Sequence, residues 1–254
     1  MIKYIFSIAR FIYQMLLGFT RKRKGLIFIC GLPKSGTTWI ENMLKDYTDG
    51  VTIMPPMAIW HEQFRSSGFK YRPSNWLLRI LDKGNFIMKL HIDSDEKFSK
   101  RLSSMNLKTI VVYRDIRDVS ISYFYYVKRT WHHFDNSALK NLSVEEGIDY
   151  FFQNRYDEYK LWVESWSSQS SEDIILFQYE DLLKDSELCL KKALLFLDQE
   201  IDGEKLKHSL NSNSFINKSG GRKNGDANNK SFVRKGVVAE WETVFTEEQK
   251  QNFK

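Results

Sequence analysis

The sequence is poor in three residue types that mark cross-linked or loop-rich proteins. Its 254 residues include only two Cys, four Pro and 13 Gly. Because Cys30 and Cys189 alone cannot build a disulfide framework, the sequence predicts a reducing compartment and a cytoplasmic location. The low Pro and Gly content excludes a collagen-like or loop-dominated chain. The 42% hydrophobic and 15% aromatic residues exclude a disordered one.

A long uninterrupted apolar run is also missing, even near the N-terminus. The longest uncharged stretch there covers residues 11–20, about half of the ~20 residues that a membrane-spanning helix needs. No A-x-A-like site follows, so a cleavable signal peptide is not expected. Residues 1–24 instead predict an amphipathic helix that ends in a basic run at 21–24. Two interpretations stay open: peripheral contact with an anionic membrane, and packing against the chain's own domain, residues 25–254.

Acidic residues are outnumbered, with 32 Asp and Glu against 38 Lys and Arg, which gives a net charge of +6. This excess fits an anionic ligand, an acidic membrane surface or a nucleic acid, and composition does not choose among them. The chain length fits one domain, or two at most, with a core large enough to need no metal or disulfide.

Short apolar runs alternate with helical patterns along the chain. Strands are predicted at 25–30, 85–90, 108–113 and 173–178, and helices at 37–46, 114–129, 143–167 and 181–197. Continuous apolar strands joined by helices predict a parallel sheet that is covered on both faces. Ligands of such sheets bind beyond the carboxyl ends of the strands, so the loops that follow the strands form the candidate site.

The loop after the first strand reads GLPKSGTTW at residues 31–39. Its G-x4-G spacing is typical of loops in which backbone N–H groups and a helix N-terminus hold a phosphate. A nucleoside-triphosphate loop has Lys directly after the second Gly, but here Thr37 fills that position and Lys34 lies inside the loop. The hydroxyls of Ser35, Thr37 and Thr38 add donors for a compact tetrahedral anion. The loop therefore predicts an anion site that differs from that of an NTPase.

These nine residues resemble the 5′-phosphosulfate loop of cytosolic-type sulfotransferases that use 3′-phosphoadenosine 5′-phosphosulfate (PAPS). The resemblance implies that the cofactor is bound by Lys34, Ser35, Gly36, Thr37, Thr38 and Trp39. The segment YRDIRDVSISY at 113–123 resembles the family's 3′-phosphate motif and implies that Arg114 and Ser122 hold this phosphate. An Arg side chain suits this role because its guanidinium is a bidentate phosphate donor.

Two later segments resemble the parts of the family that contact the adenine. QYEDLL at 178–183 resembles the YEDL segment, which implies an adenine contact from Tyr179. Asn213 and Phe215 lie where the family places further adenine contacts, including a stacking Phe. Residues 218–235 carry six basic residues and one acidic residue, a composition that predicts a mobile basic lid over an anionic cofactor.

The segment FVRKGVVAEW at 232–241 resembles the family motif RKGxxGDW, which closes over the 3′-phosphate. The resemblance implies cofactor contacts from Arg234, Lys235 and Gly236. Ala239 and Glu240 replace the family's Gly and Asp, which is expected to alter the backbone of the lid. The family's C-terminal dimer motif is matched only at Thr246, so the sequence leaves the oligomeric state open.

Sulfuryl transfer needs a base for the acceptor proton and a positive charge near the departing oxygen. MKLH at 88–91 resembles the family's KxH segment and implies that His91 is the base. Lys89 points to the same side of the strand as His91 and is a candidate catalytic contact for the sulfuryl group, and Lys34 is the candidate for stabilising the bridging oxygen. The other histidines are His61, His132, His133 and His208. No metal is expected, because the His and Cys residues lack ligand spacing.

Together the sequence predicts a three-layer α/β, P-loop-like fold with a central parallel sheet flanked by helices. The resemblance covers residue 25 to the C-terminus and implies an enzyme that moves a sulfuryl group from PAPS to a hydroxyl or amine of a small molecule or glycan. A P-loop kinase or NTPase, and a non-catalytic nucleotide-binding module, remain as alternatives. A nucleic-acid partner is not expected, because cofactor phosphates account for the basic residues.

Overall fold

The computed structural model describes residues 2–22, 25–59, 69–169 and 171–253. Within these ranges, five strands form one sheet: β1 (Gly25–Gly31), β2 (Val51–Thr52), β3 (Asn85–Leu90), β4 (Thr109–Tyr113) and β5 (Ile174–Gln178). Their order across the sheet is β2-β3-β1-β4-β5, and each neighbouring pair runs parallel. β1, β3 and β4 are mostly apolar and are buried over nearly their whole length, as expected for strands that are covered on both faces.

Helices make up most of the remaining described chain. In chain order they are α1 (Ile2–Thr20), α2 (Thr37–Thr48), α3 (Asn75–Leu81), α4 (Glu96–Ser103), α5 (Ile116–Arg129), α6 (Asn136–Leu139), α7 (Val144–Asn154), α8 (Tyr156–Ser167), α9 (Tyr179–Lys184), α10 (Ser186–Phe196), α11 (Gly203–Ser212), α12 (Phe215–Ser219), α13 (Trp241–Val244) and α14 (Glu247–Asn252). None of the helices in the described ranges is long and apolar enough to cross a lipid bilayer.

The sheet separates two apolar cores. On one face, Phe28 of β1 belongs to a cluster that includes Trp162 of α8 and side chains of α5 and α7. On the other face, Ile29 belongs to a cluster with Met43 of α2 and Leu190 of α10. Neighbouring residues of β1 serve opposite cores because side chains alternate between the faces of a strand. The predicted three-layer α/β fold with a central parallel sheet is confirmed.

Two helices that the sequence predicts as continuous are interrupted. Segment 143–167 breaks at Arg155 (φ −133°), whose guanidinium pairs with Asp135 at 2.6 Å. Segment 181–197 breaks at Asp185, whose carboxylate accepts a hydrogen bond from the N–H of Leu188 at 2.8 Å and so caps α10. The prediction also lacks β2, because two residues are too few to give an apolar pattern.

The carboxyl ends of the longer strands lie along one edge of the sheet. β1 ends at Gly31, β3 at Leu90, β4 at Tyr113 and β5 at Gln178. Each strand is followed there by a segment that the sequence analysis singles out. The topology therefore brings residues that are far apart in the sequence to one place.

Candidate active site

A cavity of about 630 Å³ opens at this edge of the sheet. All but one of the predicted site residues line it, namely Lys34, Gly36, Thr37, Thr38, Trp39, Lys89, His91, Arg114, Ser122, Tyr179, Asn213, Phe215, Arg234, Lys235 and Gly236. Ser35 is the exception. Its side chain is fully buried, and its hydroxyl has no hydrogen-bond partner among the described residues.

The loop between β1 and α2 turns through two left-handed residues, Lys34 (φ 70°) and Gly36 (φ 78°). Gly36 directly precedes the first turn of α2. A Cβ atom at Gly36 would lie 2.7 Å from the ring of Tyr179, so this position requires glycine for space as well as for its backbone angle. The turn leaves the N-terminal end of α2 at the cavity, where backbone N–H groups attract an anion.

His91 follows β3 and lies beside the loop after β1. Its Nδ1 lies 2.5 Å from the carbonyl oxygen of Gly31. Because a carbonyl only accepts hydrogen bonds, Nδ1 carries the proton of the neutral ring and Nε2 is left as the proton acceptor. Burial, helped by the charge of Lys89, lowers the pKa of His91 to about 4, so the ring is neutral near pH 7. The indole N–H of Trp162 donates to the His91 carbonyl at 3.1 Å and fixes the backbone there.

Lys89 links β3 to the first turns of α2. Its ammonium donates to the hydroxyl of Thr38 at 2.9 Å and pairs with the carboxylate of Glu41 at the same distance. Glu41 is buried, and the sequence analysis did not select it. The pair holds the Lys89 ammonium at the cavity wall rather than free in the cavity.

Lys34 stands among aromatic rings and cations. Its ammonium lies 4.3 Å from the centre of the Tyr126 ring and 4.9 Å from that of Phe232. Burial is the largest of the effects that lower the pKa of Lys34 to about 7, and the positive charges of Arg129 and Arg114 act in the same direction. An anion bound beside Lys34 would oppose both effects and favour the charged ammonium.

Arg114 leaves the end of β4 and is almost fully buried. Its guanidinium pairs with Asp118 at 3.0 Å, donates to the carbonyl of Val237 at 2.7 Å and lies 4.3 Å from the ring centre of Tyr179. Its buried Nε has no hydrogen-bond partner within the described chain. Ser122, two turns into α5, lines the same cavity. The cavity is thus lined both by Ser122 and by an arginine that has one guanidinium donor unpaired within the described chain.

The predicted adenine contacts gather around the start of α9 and the end of α11. The Tyr179 ring meets the Trp39 ring edge-on, with the ring centres 6.3 Å apart. The Asn213 side-chain amide donates to Asp46 and to the carbonyl of Ser209, each at 2.8 Å, while its carbonyl oxygen has no partner in the described residues. Asn213 therefore presents a fixed, unused acceptor.

The segment predicted as a basic lid is held by one arginine that the sequence analysis did not single out. The Arg222 guanidinium donates to the carbonyls of Asp226 and Arg234, each at 2.7 Å, and to that of Val233. Two main-chain hydrogen bonds of 2.9 Å also tie residues 225–228 to residues 234–235. No local pattern marks Arg222, because its partners lie up to 12 residues away.

Ala239 and Glu240 replace the Gly and Asp of the family motif, with consequences for backbone strain and for side-chain contacts. Ala239 takes a left-handed backbone angle (φ 55°), which favours glycine. The Glu240 carboxylate accepts hydrogen bonds from both terminal nitrogens of Arg234 and, at 3.2 Å, from the Lys235 ammonium. One buried carboxylate thus holds the two cations that the resemblance assigns to the 3′-phosphate.

Aromatic side chains form another part of the cavity wall, namely Tyr123, Tyr126, His133, Phe134, Tyr159 and Phe232. The N–H of Asp135 donates to Nδ1 of His133 at 3.1 Å. The Asp135 carboxylate accepts hydrogen bonds from Tyr123, Tyr150 and Arg155. This network fixes the aromatic wall from behind.

Two of the other histidines that the sequence analysis names lie outside the cavity. His132 does not line it, and His208 lines a separate groove beside α1. His61 lies outside the described residues. Among the described residues, no group of three or more His, Cys, Asp or Glu is arranged to hold a metal ion.

Comparison with known proteins connects the chain to one family. The family model for the sulfotransferase domain matches residues 24–254. Rat "Sulfotransferase 2A6" is 28% identical over 92% of this chain and 84% of its own length. "Flavonol 4'-sulfotransferase" of Flaveria chlorifolia is 24% identical over 87% of this chain and 74% of its own.

A solved structure from this family has a similar fold. Mouse sulfotransferase SULT7A1, complexed with PAP, superposes with a TM-score of 0.67 at 20% sequence identity, over 94% of this chain and 85% of that one. The predicted resemblance is confirmed, because the family model spans nearly the whole chain. The chain belongs to the sulfotransferase family of enzymes.

Proposed function

We propose that the chain transfers a sulfuryl group from PAPS to the hydroxyl of a small acceptor. One observation carries the proposal. A single cavity is lined by a phosphate-type loop, by a histidine whose Nε2 is free to accept a proton, and by an arginine with an unused donor. This combination supplies a base, an anion site and a second phosphate contact together. The relatives named above support the reaction class.

The residues around the cavity fit PAPS. Five buried side-chain polar atoms lack partners among the described residues, and two of them, the Arg114 Nε and the Asn213 carbonyl oxygen, belong to residues that line the cavity. The Arg114 Nε is a donor that suits a phosphate oxygen, and the Asn213 oxygen is an acceptor that suits the exocyclic amine of adenine. Unsatisfied buried polar atoms are costly in a folded protein, so a ligand that pairs them is favoured. In this assignment the loop at 31–38 holds the 5′-phosphosulfate, and Arg114 with Ser122 holds the 3′-phosphate.

When bound, PAPS supplies the sulfuryl group that moves to the acceptor oxygen. His91 accepts the proton of the acceptor hydroxyl at Nε2, while its hydrogen bond to Gly31 keeps the ring oriented. The Lys34 ammonium neutralises negative charge on the phosphate oxygen that departs. Lys89, held by Thr38 and Glu41, keeps positive charge near the sulfuryl oxygens.

The pKa of Lys34 predicts a pH dependence. Because the charged ammonium is the active form and its pKa is about 7 in the ligand-free protein, kcat/KM for PAPS should fall as the pH rises through about 7. The descending limb of kcat should lie at higher pH, because the bound anion stabilises the ammonium. The side chain stays charged in Lys34→Arg, so the descending limb of kcat/KM near pH 7 should be absent. The variant should also be slower than the wild type. An unchanged limb in this variant would contradict the role of Lys34.

Glu240 predicts a second measurable effect. Its carboxylate competes with the 3′-phosphate for Arg234 and Lys235, so Glu240→Gln should tighten binding of adenosine 3′,5′-bisphosphate (PAP) by about 1 kcal/mol, or roughly fivefold. AMP, which lacks the 3′-phosphate, should bind with unchanged affinity. The exposed neighbour Glu242 provides the control through Glu242→Gln. Weaker PAP binding in Glu240→Gln would mean that Glu240 positions the cations instead of competing for them.

The aromatic wall supports a small acceptor with a flat apolar body. Tyr126, His133, Phe134 and Tyr159 offer ring faces and edges beside the base. A glycan acceptor stays the second choice, because sugars present many hydroxyls that this wall does not pair. The cytoplasmic location also stays a prediction. The direct test measures PAP released from PAPS with matched panels of phenols and saccharides. PAP release that no acceptor from either panel stimulates would contradict the proposal.

A further inference from the structure

One face of α1 is fixed to the domain. Phe11 and Met15 pack against the larger apolar core. Gly18 lies so close to the sheet that a Cβ atom there would be 2.0 Å from the Phe86 ring. The Phe19 ring meets Phe86 edge-on, with the ring centres 5.4 Å apart. The helix therefore has a defined rotation about its axis, and its other faces point in known directions.

The outward side of this helix carries large apolar residues in water. Phe6 is 70% exposed, Ile12 54%, Tyr13 62% and Leu16 63%. Ile8, Ile12 and Leu16 follow at intervals of four residues, which places them along one side of a helix. An apolar stripe of this kind is unusual on a monomer surface and marks an interaction site.

The charge of the N-terminal segment favours one kind of partner for the stripe. Residues 1–24 contain six Lys and Arg and no Asp or Glu. Arg10 and Lys22 belong to this set, and Arg21 pairs with Asp49 of the domain at 2.7 Å. A second copy of the chain would bring another segment that has six positive charges and no negative ones, which opposes dimerisation there. An anionic lipid surface instead offers acyl chains to the stripe and phosphates to the cations.

We propose that α1 lies in the surface of an anionic membrane, with the stripe of Ile8, Ile12 and Leu16 among the lipid chains and the basic residues on the headgroups. The protein then works as a peripheral membrane protein whose domain stays in water. The helix is not long and apolar enough to span the bilayer, as noted above. The inference does not depend on the reaction that the cavity catalyses.

The test is sedimentation of the full chain with vesicles of phosphatidylcholine alone and of phosphatidylcholine with phosphatidylserine. We expect binding to the anionic vesicles that weakens at high salt and little binding to the neutral ones. Ile12→Ser/Leu16→Ser should weaken binding to anionic vesicles at least about tenfold. The matched control is Leu161→Ser/Leu195→Ser, which removes two leucines of 63% and 62% exposure on other helices and should leave binding unchanged.

Thermal stabilisation by PAP shows whether the variants are folded, since it should be the same in both double variants and in the wild type. Equal vesicle binding by the wild type and Ile12→Ser/Leu16→Ser would overturn the proposal. So would binding that does not distinguish anionic from neutral vesicles. If the wild type instead forms dimers that this variant loses, as measured by analytical ultracentrifugation, the stripe is an interface between copies and the membrane proposal is wrong.

Discussion

Replacing His91 by Ala is expected to lower kcat by about 10²- to 10⁴-fold and to leave PAP binding nearly unchanged, because the substitution removes a proton acceptor and no phosphate contact. The side chain also donates to the Gly31 carbonyl, so loss of this bond can disturb the phosphate loop. His91→Asn separates the two effects. Its amide nitrogen is attached to Cγ, as Nδ1 is, and can restore the hydrogen bond to Gly31, but the variant has no basic nitrogen and should be as slow as His91→Ala.

The pH profile gives a second readout for the same residue. The neutral imidazole is the active form, and its pKa lies near 4 in the free protein. The kcat/KM of the wild type should therefore rise as the pH increases through about 4, before the descending limb that Lys34 causes near pH 7. His208→Ala, which changes a histidine outside the cavity, should keep both the rate and this limb. Wild-type turnover in the His91→Ala variant would contradict the role of His91 as the base.

Replacing Arg114 by Ala is expected to weaken PAP binding by roughly 10- to 100-fold, since hydrogen bonds between charged groups are worth about 1.5–3 kcal/mol. AMP binding should change much less, because AMP lacks the 3′-phosphate. The measurement is isothermal titration calorimetry with PAP and AMP on the same protein sample. A Kd for AMP that rises as much as that for PAP would indicate a general charge effect rather than recognition of the 3′-phosphate.

Controls for Arg114 must account for its buried partner. Arg114→Ala leaves the Asp118 carboxylate without its guanidinium, so part of the effect can come from lower stability. Arg114→Lys keeps a positive charge but lacks the bidentate fork, and it should recover only part of the PAP affinity. Arg117→Ala is the matched control, because Arg117 lies in the same motif but stacks on Trp241 and pairs with Asp115 instead of lining the cavity.

Sequence reasoning reached the fold and most of the cavity because both depend on local patterns. The apolar strands are recognisable as short runs, and Gly36 and Thr37 are recognisable through the spacing of a phosphate loop. Their grouping then follows from the topology, since the ends of parallel strands meet at one edge. The sequence does not predict the helix interruptions at Arg155 and Asp185, because an apolar period that continues across a one-residue break does not mark it.

The residues that support the site were missed for a different reason. Glu41 contributes to the site through its ion pair with Lys89, which lies 48 positions further along the chain. Asp135 and Arg222 likewise act through hydrogen bonds to residues that only the folded chain brings close to them. Nor does the sequence reveal that Glu240 occupies the lid cations, because it appears there only as a change from the family motif. Such contacts have no local signature.

The central claim is that this cavity recognises a 3′,5′-bisphosphate. Thermal unfolding of the full chain with PAP, AMP or ATP·Mg²⁺ tests it most directly. A specific ligand at 100 times its Kd adds about 2.7 kcal/mol to the free energy of unfolding. We predict a stabilisation of this size with PAP and a much smaller one with AMP. Stabilisation by ATP·Mg²⁺ and not by PAP would contradict the claim and would mean that the loop at residues 31–38 serves a nucleoside triphosphate.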